Sequence, residues 1–462
     1  MKKCYFRKSF TEKSVNCNIK TTDMQRFIYK KAIEWCQIKD GERKPLLLEG
    51  ARQVGKTWLA REIGKNEFEN YIELNFENQP EIRTLFETDF KIDRILLAIS
   101  AFTGKDIKPG KTLLFFDEIQ WAHRGLLALK YFYDNAPQLH VMAAGSLLGV
   151  IDHSDDSFPV GKVTFLKINP MTFSEFMVAT GNQKLYEIMQ TGDWQLINVF
   201  ANQFENLLRN YYYVGGMPEV VKKFIDTGDY IKVRKVQDDL LKSYKNDFSK
   251  HPPKDVSARM HLVWDSIPTH LSKENKKFVY SAVRPGARAK DFETAIQWLK
   301  DAGTIHKLTR VSAGEVSLRG FEDSDSFKIY LIDIGLLSAM CKLDRKTLID
   351  GVDFYDQYKG ALTEQYVLQE LIGNEDIELH YWSPDTGHSE LDFVIQAGNV
   401  VAPLEAKAER NLKAKSLKAF SERYGTKLRF RTSMSPFVAT DYVIDIPLYA
   451  VAKVPEIMKD GL

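Results

Sequence analysis

Residues Leu46-Leu47-Leu48-Glu49-Gly50-Ala51-Arg52-Gln53-Val54-Gly55-Lys56-Thr57 constrain the fold more tightly than any other stretch of the chain. Leu46 to Leu48 form a short apolar run that reads as a buried strand. Gly50 to Gly55 read as a loop, and Trp58 to Ile63 continue as a helix. This is the pattern G-x-x-x-x-G-K-[ST] in the strand–loop–helix setting the motif requires. The glycines let the loop curl so that backbone N–H groups point inward at phosphate oxygens. Ala51, Arg52, Gln53 and Val54 complete that cradle. Lys56 is expected to reach the β- and γ-phosphates, the Thr57 hydroxyl to ligate Mg²⁺, and Trp58 to follow on the helix whose positive end faces the anion. ATP with Mg²⁺ is the expected ligand.

A second buried run, Thr112-Leu113-Leu114-Phe115-Phe116, ends in two acids, Asp117 and Glu118. Sixty residues after a phosphate loop, this reads as the Walker B strand. Asp117 would hold Mg²⁺ through water, and Glu118 would orient or deprotonate the attacking water. A third strand, His140 to Ala144, runs into Gly145-Ser146. Ser146 is a candidate γ-phosphate sensor, with a helix N-cap as the plain alternative. Tyr71 to Phe76 alternates as a further strand, and a helix is expected around 80–102. Strands alternating with helices imply an α/β fold with a parallel sheet, its ligand at the strands' C-terminal ends.

With 462 residues the chain should hold about three domains. Its net charge of +2 excludes no partner class, because large charges of both signs cancel. Cys4, Cys17, Cys36 and Cys341 are scattered without metal spacing, which suits free thiols in a reducing compartment. The start lacks a signal-peptide core, and no run of about 18 apolar residues occurs, so a cytoplasmic protein without a membrane span is expected.

The chain divides as follows. Residues 1–23 read as a lysine-rich extension and 24–170 as the nucleotide-binding core, opened by a helix over 24–39. Residues 171–250 read as a helical lid, with Phe200, Phe204, Leu207, Leu208 and Tyr211 at helical spacing. Gly215-Gly216-Met217-Pro218 is a turn with a positional demand for glycine. Beyond His251-Pro252-Pro253, residues 251–335 read as a winged-helix-like domain: helices over 258–272 and 290–302, then β-prone stretches over 304–311 and 326–332. The second helix mixes Lys290 and Lys300 with Asp291, Glu293 and Asp301, which weakens a DNA-groove assignment and leaves protein docking equally open.

Gly50 to Thr57, Phe116 to Gln120, Asn169-Pro170-Met171-Thr172-Phe173-Ser174-Glu175-Phe176 and Gly215-Gly216-Met217-Pro218-Glu219-Val220 together resemble a large bacterial and archaeal family of AAA-type ATPases. The resemblance extends over about residues 24–450. It implies ATP hydrolysis and a C-terminal domain of unknown function, and homo-oligomers are known among AAA-type relatives. The family often has Arg where Lys162 stands. Lys keeps the charge but loses the planar fork, so no arginine finger is assigned.

The last third, 336–462, holds a second constellation. Gly360 to Leu371 reads as a helix carrying Glu364. Strands follow at Leu379 to Ser383, Ser389 to Ile395 and Val400 to Lys407, with a turn at Ala397-Gly398-Asn399. Asp392 and Glu405 lie thirteen residues apart across that hairpin, and Glu405 and Lys407 share a strand face. Two carboxylates and a lysine suit metal-assisted phosphodiester hydrolysis: Asp392 and Glu405 as Mg²⁺ ligands, Glu364 as an additional one, Lys407 positioning the water. Helix Glu, strand Asp, then Glu-x-Lys resembles the PD-(D/E)xK nuclease superfamily, although such folds also serve as binding modules. Downstream, Lys407, Arg410, Lys413, Lys415, Lys418, Arg423, Lys427, Arg429 and Arg431 face only Glu405, Glu409 and Glu422. That surplus over 407–431 suits DNA backbone contact.

Three readings follow. The first is an ATPase governing a nuclease-like or DNA-holding domain. The second is a regulatory NTPase switch whose C-terminal domain docks another protein. The third is a nucleic-acid scaffold that binds ATP without turnover.

Overall fold

The strand that carries the phosphate loop, β1 (Leu46–Glu49), is flanked by parallel neighbours on both sides. That is why its three leucines run without polar interruption. The computed structural model describes residues 26–145, 160–250, 252–273, 275–348, 356–385, 389–408 and 415–460. Among these, β1 belongs with β2 (Asn70–Asn75), β3 (Thr112–Asp117), β4 (His140–Ala144) and β5 (Thr164–Lys167) to one all-parallel sheet of order β2-β3-β4-β1-β5. Alternate residues face opposite layers. Leu46 and Leu48 pack with Leu59 and Ile63 of the Lys56–Glu67 helix, whereas Leu47 joins Leu114, Phe116 and Phe132 on the other face. The α/β P-loop core expected from the sequence is present. One boundary differs: the helix expected around 80–102 begins at Ile92, after a short 3-10 turn at Pro80–Ile82.

Six helices between Phe173 and Asp247 follow the sheet. Their first turn is fixed by a capping box, Thr172 accepting from the Glu175 N–H and Glu175 from the Thr172 N–H. The glycine turn after the Ala201–Val214 helix is obligatory. A Cβ on Gly216 would stand 2.0 Å from the Met171 carbonyl oxygen, and one on Gly215 would strike the Asp333 carboxylate.

The helices Lys254–Leu271, Tyr280–Val283 and Ala289–Asp301 lead into a hairpin of β6 (Ile305–Val311) and β7 (Glu322–Leu331). The expected division at 335/336 would separate this hairpin from the last third. The sheet instead runs across it, in the order β12-β13-β11-β10-β9-β8-β6-β7. Here β8 is Ile377–Trp382, β9 Leu391–Ala397, β10 Val400–Ala406, β11 Phe430–Ser433, β12 Val438–Ala439 and β13 Ile444–Pro447. The join is β6 beside β8, in parallel, with Arg310 opposite Tyr381 and Val311 opposite Trp382. Burial holds it: Val311 and Trp382 share a cluster with Leu391, Leu417 and Phe420. Arg310 adds bonds to the Ser383 carbonyl and to Asp323 and Asp385.

Candidate functional site

Two glycines shape the phosphate loop. Gly50 has φ +140°, and a Cβ there would lie 2.3 Å from the Ile168 carbonyl oxygen. Gly55, at φ +104°, turns the chain into the Lys56–Glu67 helix. Ala51 and Val54 are buried beneath the loop, Gln53 takes a left-handed conformation at its exposed tip, and Trp58 is half-buried behind it. The Lys56 ammonium folds onto the loop's own carbonyls, 2.8 Å from Gly50 O and 2.9 Å from Ala51 O. Burial draws its pKa down to about 8, against the pull of Glu118 and Asp117.

The loop is also gripped from outside. Arg52 pairs with Asp247 at 3.0 Å, and its carbonyl accepts from the Tyr244 hydroxyl. Arg26 donates to the Val54 carbonyl at 2.9 Å, to Asn169 O at 2.7 Å and to Glu175 at 3.1 Å.

At the end of β3, the Thr57 hydroxyl donates to Asp117 Oδ2 at 3.1 Å. Asn75 donates to the same oxygen at 3.1 Å, placed there by the β2–β3 register that sets Asn75 opposite Asp117. Burial, with Glu118 adjacent, lifts the Asp117 pKa to about 6. A hydroxyl and a carboxylate converging at the phosphate loop form the donor set a Mg²⁺ ion uses beside its waters. Glu118 sits at φ 51°, the first residue past the strand, and accepts from the Gln120 side-chain amide. Ser146 lies outside the described residues.

The second constellation also converges. Glu364 is buried in the Asp356–Leu371 helix, where Oε1 accepts from Lys276 at 2.7 Å and Oε2 from the Tyr330 hydroxyl at 2.8 Å. Lys328 stands 3.6 Å from Glu364 and 2.6 Å from Glu390. Asp392 accepts from the Ala406 N–H at 2.9 Å, and Glu405 from Lys407. Burial would raise Glu364, but Lys328 and Lys276 hold its pKa down at about 2. Burial, then Glu364 and Glu405, push Asp392 well up. Glu364, Asp392 and Glu405, the expected ligand set, lie in this one cluster with Lys276 and Lys328 among them. Among the described residues no three His, Cys, Asp or Glu side chains are grouped to hold a metal ion. Both Glu364 oxygens accept hydrogen bonds, one of them from an ammonium that has no lone pair for a metal.

The basic stretch is similarly divided. Lys415, Lys418, Arg423 and Lys427 are exposed on and just after the Lys415–Tyr424 helix. Arg431 is buried in a bidentate pair with Asp445 at 2.6 and 2.7 Å, so it is corrected from a phosphate contact to a structural residue. Arg410 and Lys413 lie outside the described residues. Lys162 pairs with Asp134.

Residues 42–177 match the family model described as AAA domain. The nucleotide-binding core is therefore similar to AAA-type ATPase domains. Behind this AAA-type core, residues 205–347 match a domain of unknown function (DUF8612), and residues 359–449 match another (DUF4143). An uncharacterised protein of Methanocaldococcus jannaschii is 27% identical over 221 residues, covering 46% of this chain and 43% of that protein. The match therefore spans less than half the length of that relative. Among solved structures, the Walker-type ATPase PABY2304 of Pyrococcus abyssi is similar at a TM-score of 0.42 and 16% identity, covering 69% of this chain and 96% of that one. The Thermotoga maritima RuvB Holliday junction branch migration motor is similar at 0.27 and 16%, covering 60% and 88%. No helix among the described residues is long and apolar enough to cross a membrane.

Arg26, Asn75, Tyr244, Asp247, Lys276 and Lys328 were not legible as site residues. Asn75 alone carried a usable signal, as the polar end of a strand neighbouring Walker B.

Proposed function

We propose that this chain hydrolyses ATP with Mg²⁺ and uses the nucleotide state to control a nuclease-like C-terminal module that holds nucleic acid. The observation that carries the ATPase part is the meeting of Thr57 with Asp117 beside Lys56, with Glu118 one residue further along. Lys56 would leave the loop carbonyls for the β- and γ-phosphates, and the amides of residues 51–57 would wrap the phosphate chain. Thr57 and Asp117 would hold the Mg²⁺, whose charge offsets that of the phosphates. Glu118, steadied by Gln120, would orient the attacking water and take its proton. The positioning follows from β1 and β3 ending on the same sheet edge.

Lys56→Ala is expected to abolish ATP binding, read by titration with a fluorescent ATP analogue. Glu118→Gln is expected to keep the affinity and to slow hydrolysis by roughly 10²-fold or more. Normal turnover by Glu118→Gln would overturn the role given to Glu118.

The nucleic-acid part is supported by the exposed Lys415, Lys418, Arg423 and Lys427. The winged-helix-like part gives it no support. Its cleft of about 630 Å³ between the Ala289–Asp301 helix and the β6–β7 hairpin is lined by Glu293, Asp301 and Asp325 against Lys307. That acidic lining favours the rival reading, a regulatory switch with a protein-docking platform, for this part of the molecule.

A further inference from the structure

The Glu364 cluster contains more than the nuclease-like pattern predicts. That pattern comprises Glu364, Asp392, Glu405 and Lys407. Two further lysines enter from outside residues 356–449: Lys276, ahead of the Tyr280–Val283 helix, and Lys328, on β7. They reach the cluster because the hairpin is an edge of the same sheet and because Lys277 bridges to Lys328 across an isolated antiparallel contact.

Both are held deeply. The Lys328 side chain is 1% exposed, between Glu390 at 2.6 Å and Glu364 at 3.6 Å, with the Tyr381 ring 4.9 Å away. The Lys276 side chain is 11% exposed and 2.7 Å from Glu364. Burying an ammonium is costly unless carboxylates surround it, so these lysines and acids depend on one another. An ammonium nitrogen only donates and cannot ligate a metal. A divalent ion placed between Glu364 and its neighbours would meet two positive charges where it needs oxygen. Of the cluster's acids, Glu364, Glu390 and Glu405 are already paired with Lys276, Lys328 and Lys407, and Asp392 accepts from the Ala406 N–H. Glu405 Oε2 is buried without a hydrogen-bond partner, and one such oxygen is too little to build a site by itself.

We infer that Lys276 and Lys328 stand in place of the catalytic metal, so that the C-terminal module grips nucleic acid without cleaving it. The inference rests on the nuclease-like reading of that module. It differs from a lost active site, because the acids are all present and the counter-ion has changed from metal to lysine.

The test uses the full chain carrying Asp117→Ala, without nucleotide, so that the phosphate loop holds no ion. Mn²⁺ binding is followed by electron paramagnetic resonance. The lysine-intact chain is expected to bind no Mn²⁺ at the cluster. The double variant Lys276→Met, Lys328→Met is expected to acquire one Mn²⁺ site, lost again on adding Glu405→Gln. Stoichiometric Mn²⁺ binding to the lysine-intact chain that Glu405→Gln removes would overturn the inference. So would a folded double variant that binds none. Should the double variant fail to fold, Lys276→Met alone replaces it, and the comparison of the lysine-intact chain with Glu405→Gln decides without either.

Duplex DNA affinity and its salt slope are measured on the same samples, with Lys415→Gln, Lys418→Gln as the control. Absence of DNA binding while the cluster stays free of Mn²⁺ overturns the nucleic-acid reading alone and supports the lysine substitution.

Discussion

Arg26 illustrates what a single residue can fix when it is buried. Its guanidinium reaches Val54 O, Asn169 O and Glu175, so one side chain ties the phosphate loop to the strand end and to the first lid helix. Glu175 also accepts from the Phe27 N–H, and both side chains are 5% exposed. Replacing Arg26 with Met should strand Glu175 without its counter-charge and cost about 3 kcal/mol or more. Thermal unfolding should show the loss, and ATP affinity should fall because Val54 is released. A variant melting within a degree of wild type would deny the clamp. The comparison is Arg61, whose bidentate pair with Glu73 sits on a side chain 60% exposed; its loss should cost about 1 kcal/mol or less. Lys56, Thr57, Asp117 and Glu118 could be found from the sequence because phosphate chemistry fixes their spacing. Arg26 could not, because its partners are 28 to 149 residues away and any buried Arg writes the same letter.

At the scale of elements, the Asp356–Leu371 helix shows why a correct helix assignment still omits most of the chemistry. Every residue from Ala361 to Leu371 is buried, so this stretch of the helix has no solvent face to mark its polar positions. Those positions serve the backbone of other elements. Gln365 exchanges two bonds with Leu331, Gln369 accepts from the Ile334 N–H, and Glu370 accepts from the Phe173 N–H at 2.7 Å. Burial pushes the Glu370 pKa up to about 8, with the nearby Glu175 adding to it and the Phe173 N–H opposing. The folded state therefore holds a proton on Glu370 that the unfolded chain releases near pH 4.5. The folded state binds more protons across that interval, so stability from this group is complete below about pH 4.5 and declines as pH rises through about 8. Glu370→Gln keeps an acceptor for Phe173 and removes the titration. Its melting temperature should hold steadier than that of wild type between about pH 5 and 9, with the gap widening toward alkaline pH. Parallel slopes for the two proteins would deny Glu370 this role.

The whole molecule is joined where the sequence suggested a division. The parallel pairing of β6 with β8 links residues some seventy positions apart and has no local pattern, whereas strands within one hairpin announce themselves by turn and alternation. From the other side of β6 the phosphate loop has a route to the lysine-filled cluster. Gly303, at φ +69°, closes the Ala289–Asp301 helix directly against the loop, where a Cβ would stand 3.1 Å from the Ala51 nitrogen. One residue later Thr304 accepts from the Ile332 N–H, and β6 then pairs with β7, the strand carrying Lys328. Arg52 and Asp247 form a second grip on the same loop. Such contacts transmit a change only if nucleotide binding shifts the loop they touch. Glu118→Gln with ATP should therefore alter amide hydrogen exchange over residues 300–311 as well as over the Lys56–Glu67 helix. Asp247→Asn, which weakens the pairing with Arg52, should leave the effect on the helix and shrink that on 300–311. Protection confined to the Lys56–Glu67 helix in both proteins would mean that the two sheets share a boundary without sharing a signal.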